Sequence, residues 1–174
     1  MDKISTVQRL TKNAILLALM CVIGMFSLPL GDNIKVSLQL LIVFIIGLTA
    51  SSFIDSIIVT GLYLLLGLFL PIYAGFNAGI SPTFGFVISF PVICVPLYFL
   101  NKLKIKNQFI RMSIACLVAL IICYTIGTLF LKFYLNIGIE KALLIAVVPY
   151  IPFDIAKIII AELVVSLLPK KYTI

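Results

Sequence analysis

Long apolar runs separated by short polar breaks dominate the chain, the pattern of helices that cross a bilayer. The first run, residues 14–30, follows Lys3, Arg9 and Lys12. That basic flank also suits a secretory signal, but no small-residue cleavage site comes after it, so the run predicts a retained helix ending at Pro29. A polar turn over residues 31–35 leads to a second run, residues 36–54, in which Gln39 is the only strongly polar side chain. The 46 residues between Asp55 and Lys102 carry no charge, too many for one span and enough for two helices and a connection. Pro71, Gly75, Asn77, Gly79 and Pro82 crowd into residues 71–83 and mark that connection. Lipid does not tolerate exposed non-helical backbone, so this segment lies at the surface, is buried in protein or lines a cavity.

A fourth span is expected over residues 84–100 and a fifth over residues 112–131, after a polar stretch holding Lys102, Lys104, Lys106 and Arg111. The last apolar region, residues 142–168, would make a helix of about 40 Å, longer than the hydrocarbon core. Pro149 and Pro152 divide it, and the final helix is expected to start near Pro152, because proline suits a first turn. The expected fold is thus an all-α membrane protein of six transmembrane helices, one integral domain over residues 1–174. Six spans put both termini on one side. That side holds nine basic residues (Lys3, Arg9, Lys12, Lys102, Lys104, Lys106, Arg111, Lys170, Lys171) against Lys35, Lys132 and Lys141 on the other. The excess makes both termini cytoplasmic and turns the broken segment and the start of the sixth helix outward.

Composition closes off other classes. With 63% hydrophobic and 11% charged residues and a mean hydropathy of +1.29, neither a soluble globule nor a single anchor on a soluble domain fits. The net charge of +7 comes from residues flanking apolar runs, so it is not a nucleic-acid footprint. No histidine is present, which removes the commonest metal ligand and general base. Cys21, Cys94, Cys116 and Cys123 lie in apolar stretches without CxxC spacing and read as small buried hydrophobes. No metal or other cofactor is expected, and no phosphate-binding loop occurs, so any ATP-driven step needs another subunit.

Three ionisable residues fall within apolar spans: Asp154, Lys157 and Glu162. Such groups are expensive in hydrocarbon and mark functional sites by default. Asp154 and Lys157 are three positions apart on one helix face and can meet each other or a shared ligand. A self-neutralising pair that only fixes the helix is the plain alternative. A carboxylate and an ammonium together suit a small polar ligand with both N–H and carbonyl or carboxylate groups. Asn77 and Gln39 can add donors and acceptors, or serve as a turn former and a helix–helix hydrogen bond. Tyr73, Phe76 and Tyr150 can wall a ring-shaped ligand, although aromatics are common at membrane interfaces. Glu162 is left open between a protonation site, a contact to another polypeptide and a packed neutral carboxyl. Ala14 and Ala18 form a small-xxx-small pair that permits close approach of another helix. A proton-coupled secondary transporter using Glu162 or Asp154 is the rival reading; an enzyme lacks a convergent nucleophile and base.

Several blocks resemble the BioY proteins, the biotin-specific S components of energy-coupling-factor (ECF) transporters. The similarity runs through Ser37-Leu38-Gln39-Leu40-Leu41, Gly61 to Gly67, and Leu70-Pro71-Ile72-Tyr73-Ala74-Gly75 on to Ser81-Pro82-Thr83-Phe84-Gly85-Phe86. It resumes in Pro149-Tyr150-Ile151-Pro152-Phe153-Asp154-Ile155-Ala156-Lys157. The resemblance implies a six-helix S component of a bacterial plasma membrane that captures biotin from outside in a pocket closed by loops. It implies partners too: a transmembrane coupling subunit and two ATPases. It assigns ligand binding to Asp154, Lys157 and Asn77, adds Gly75 through the glycine-rich segment, and gives Ala14 and Ala18 to the coupling subunit. Two departures stand out: Ser81 replaces a usual glycine, and residues 75–79 are less glycine-rich than in many members.

Overall fold

The computed structural model describes residues 6–29 and 35–169. Lys3, Lys170, Lys171 and most of the polar turn expected at residues 31–35 lie outside the described residues, as does the side chain of Lys35. Helix α1 (Thr6–Met25) leads into strands β1 (Ser27–Pro29) and β2 (Lys35–Ser37). Then follow α2 (Gln39–Thr49), α3 (Phe53–Gly67), α4 (Phe84–Leu100), α5 (Gln108–Leu135), α6 (Ile139–Ala146) and α7 (Ile151–Leu167).

The expectation of an all-helical chain needs three corrections, each with a local cause. First, α1 stops at Met25 rather than Pro29, and Ser27–Pro29 pairs antiparallel with Lys35–Ser37, Ser27 opposite Ser37. Proline lacks an amide hydrogen and is at home on such an edge. Second, the run 36–54 is not one helix. Ser37 Oγ accepts from the Gln39 amide as α2 opens, Ala50 is extended, and Ser52 Oγ accepts from the Ile54 amide to start α3. Serine caps are helix starts, so Phe53 and Ile54 belong to the third helix. Third, α5 outruns residues 112–131 at both ends: Asn107 caps it by accepting from Phe109 and Ile110, and Asn136 ends it in the left-handed region at φ 55°. The fourth helix has the expected limits. The last region divides as expected, α6 and α7 meeting at a 51° bend with proline in the first turn of α7.

Helix α2 is apolar and buried on nearly every face, which marks it as the central element. It packs against α1, α4 and α7. Helices α4 and α5 interlock through glycine: a Cβ on Gly85 would lie 2.2 Å from Phe130, and one on Gly127 would lie 2.3 Å from the Phe86 ring. Each aromatic ring fills the hollow left by the facing glycine. Large apolar side chains such as Ile121, Phe133 and Leu167 cover the outside, as a lipid environment requires.

Among the described residues, α1 and α5 are each long and apolar enough to cross a membrane, and the bent α6–α7 pair makes a third candidate. Helices α2, α3 and α4 are apolar but shorter. One end of the bundle is laced by basic side chains. Arg9 pairs with Asp55, Lys12 donates to the Thr49 carbonyl, Asn101 donates to the Leu48 carbonyl, and Arg111 donates to Asn101. The opposite end opens into a cavity.

Candidate functional site

The cavity measures about 480 Å³ and lies between the starts of α2, α4 and α7, the C-terminal half of α5, and the connection from α3 to α4. That is within the usual range for small-molecule sites. Its polar centre comes from α7. Pro152 tightens the first turn, where a missing amide hydrogen costs nothing, and the Asp154 amide donates to the Tyr150 carbonyl at 2.9 Å. Asp154 and Lys157 therefore project from one face, and both are buried. Lys157 Nζ donates to Asp154 Oδ1 at 2.6 Å, while the Tyr124 hydroxyl, from α5, donates to Asp154 Oδ2 at 2.5 Å. Each carboxylate oxygen thus holds one donor. An ion pair in so dry a setting persists only when hydrogen bonds satisfy its remaining capacity.

Two carboxamides face the same space from other elements. Gln39, at the head of α2, donates from Nε2 to the Tyr63 hydroxyl at 2.5 Å and accepts from Ser37 Oγ at 3.2 Å. Asn77 is held by a backbone bridge to Tyr73, and its Nδ2 donates to the Ala74 carbonyl at 2.8 Å. The turn between them uses Gly75 and Phe76 at φ 74° and 59°, and the Gly75 amide donates to the Met25 carbonyl at the end of α1. Phe86, Phe90 and Leu131 supply apolar wall. Ammonium, carboxylate, phenol and two amides around an apolar trough can bind a ligand with a hydrocarbon body and polar groups of both kinds.

Of the residues expected from sequence, Asp154, Lys157, Asn77, Gln39 and Tyr150 line this cavity together. Tyr73, Gly75 and Phe76 do not. Tyr73 is buried, donates to the Leu64 carbonyl at 2.5 Å and stacks its edges on Tyr63 and Phe84, so it builds the core beneath the connection. Gly75 shapes the turn, and Phe76 is 61% exposed with its ring against Phe26. Ala14 and Ala18 are exposed on α1. Glu162 is buried outside the cavity and accepts from Ser113 Oγ at 2.6 Å, tying α7 to α5. Sequence reasoning missed Tyr124, together with the walls Phe86 and Phe90. A phenol inside an apolar span needs a polar partner, and that requirement was the available signal for Tyr124. Among the described residues no three cysteine or acidic side chains gather to hold a metal.

Comparison with known proteins bears on what enters the cavity. The BioY family model matches residues 1–173. The chain is 30% identical over 168 residues to a biotin transporter of Thermotoga maritima, covering 94% of this chain and 96% of the relative. It is 30% identical over 160 residues to a biotin transporter of Lactococcus lactis subsp. cremoris, covering 88% and 86%. Its fold superposes on the crystal structure of the S component for biotin from an ECF-type ABC transporter with a TM-score of 0.80 at 27% identity, covering 94% of this chain and 92% of the other.

Proposed function

This chain belongs to the BioY family of membrane transport proteins, and we propose that it is the biotin-capturing S component of an ECF-type importer. The observation that carries the reading is the buried Lys157–Asp154–Tyr124 cluster opening into a ligand-sized cavity. Biotin offers two N–H donors and a strong acceptor on its ureido ring, a carboxylate on its tail, and hydrocarbon between. The cluster and the amides of Gln39 and Asn77 complement those groups, and Phe86, Phe90 and Tyr150 flank the hydrocarbon. Binding and release break no bond in the ligand, so the chain is a transport component and not an enzyme.

The chain spans a bacterial plasma membrane six times, with both termini cytoplasmic and the cavity facing out. The basic side chains gathered at the end opposite the cavity support that orientation through the positive-inside rule. Residues 71–83 carry Asn77 to the rim and close over the ligand, with Gly75 and Phe76 setting the turn. Energy comes from a transmembrane coupling subunit and two ATPases, and the exposed Ala14 and Ala18 meet the coupling subunit on α1. Calorimetric titration of the detergent-solubilised chain tests the reading: biotin binds saturably, and thiamin and riboflavin do not. Well-folded protein that shows no saturable binding of biotin refutes it.

A further inference from the structure

Gln39 and Asn77 reach the cavity from elements 38 residues apart, yet both are referenced to one side chain that does not line it. Tyr63, on α3, is completely buried. Its hydroxyl accepts from Gln39 Nε2 at 2.5 Å and donates to the Ile72 carbonyl at 2.8 Å. Ile72 precedes the two-way backbone bridge in which the Tyr73 amide donates to Asn77 at 3.0 Å and the Asn77 amide donates to Tyr73 at 3.3 Å. The rings of Tyr63 and Tyr73 also meet edge to face, 5.6 Å between centroids. We infer that Tyr63 is a positioning residue for ligand capture: its one hydroxyl sets where the carboxamides of Gln39 and Asn77 stand relative to each other. The inference rests on the biotin-capture reading above.

Chemistry makes the phenol fit this role. A buried hydroxyl that both donates and accepts fixes two groups at once, and removing it leaves an amide and a carbonyl without partners where water cannot replace them. Gln39 is further restrained at Oε1, which accepts from Ser37 Oγ, and only one of its N–H groups is spent on the phenol. From the other side α1 leaves no slack. A Cβ on Gly24 would stand 2.7 Å from the Tyr63 hydroxyl and 3.4 Å from Gln39 Cγ, so a side chain at this position of α1 must push the phenol aside. The position of the phenol is therefore clamped between α1 and the connection it supports.

The test is biotin titration of wild type, Tyr63→Phe, Gln39→Ala and the double variant, with thermal midpoints measured on the same samples. Tyr63→Phe is expected to weaken biotin binding roughly tenfold. If Tyr63 acts through Gln39, its substitution costs clearly less in the Gln39→Ala background than in wild type, a non-additivity that a merely structural role does not produce. Tyr98→Phe, which loses a phenol contact to Lys102 at the far end of α4, serves as control and leaves affinity unchanged. A Tyr63→Phe protein with a lowered thermal midpoint but wild-type affinity overturns the inference. So does strict additivity. Should Tyr63→Phe fail to fold, Gly24→Ala decides: its methyl displaces the hydroxyl without removing it, and wild-type biotin affinity in that variant overturns the inference. A wild-type chain that binds no biotin is a different result, sinking the capture reading and with it this role for Tyr63.

Discussion

Lys157 and Asp154 meet at 2.6 Å beside the cavity, and Arg9 and Asp55 meet at the same 2.6 Å at the far end of the bundle. The first pair is local, three positions apart on α7, with both side chains under one tenth exposed and Tyr124 closing the second carboxylate oxygen. The second joins α1 to α3 across 46 positions, with the Arg9 side chain 43% exposed and Asp55 buried. A local pair forms whenever its helix forms, so it contributes little to holding helices together. Its buried charges are kept where a ligand can reach them. The distant pair instead fastens a helix that buries only Met20 and Gly24. In the capture reading proposed above, two pairs of equal closest approach serve recognition at one end and attachment at the other.

Breaking each pair separates the two roles. Asp154→Asn has the largest expected effect: it strands the buried Lys157 ammonium and should cost about 2–5 kcal/mol of biotin binding, read by calorimetric titration. Tyr124→Phe removes one charge-assisted hydrogen bond and should cost about 1.5–3 kcal/mol in the same titration. Unchanged affinity in both would make the cavity pair a helix brace like any other. Arg9→Met should lower stability by about 1–2 kcal/mol, since it leaves the buried Asp55 carboxylate without this partner while the Arg9 end of the pair faces solvent, visible as a drop in thermal midpoint with biotin affinity unchanged. A loss of affinity comparable to that of Asp154→Asn would erase the distinction between the two ends.

The sequence disclosed this asymmetry unevenly. Asp154 and Lys157 stood out because charge within an apolar run is rare and costly, and their spacing put them on one face. Asp55 did not, because it sits where an apolar run begins and reads as the border of a span; only the fold shows it buried against Arg9. Helix limits were legible where proline or charge punctuates the chain, as at Phe84–Leu100 and the Pro149–Pro152 bend. They were illegible where serine divides an apolar stretch, because Thr49 to Ser52 is too short and too mildly polar to interrupt a hydropathy reading. Tyr73 and Phe76 illustrate the same limit for the site. Aromatic residues near a glycine-rich segment suit a ligand wall and a core equally well, and only packing sends Tyr73 inward and Phe76 to the surface. Tyr63 and Tyr124 carried only the general signal of a phenol in an apolar span, because each acts through a partner far away in sequence, Gln39 and Asp154, that no local pattern connects to it.

A structure of the chain with biotin bound is the most direct measurement. Polar atoms of biotin should lie within hydrogen-bonding distance of Asp154 and Lys157, with Asn77 at the rim and the Arg9–Asp55 pair intact. Biotin seated elsewhere, for example in the cleft beside Ile15, Leu16 and Ile45 at the basic end, with the Lys157–Asp154–Tyr124 cluster untouched, would contradict the assignment of recognition to the cavity pair.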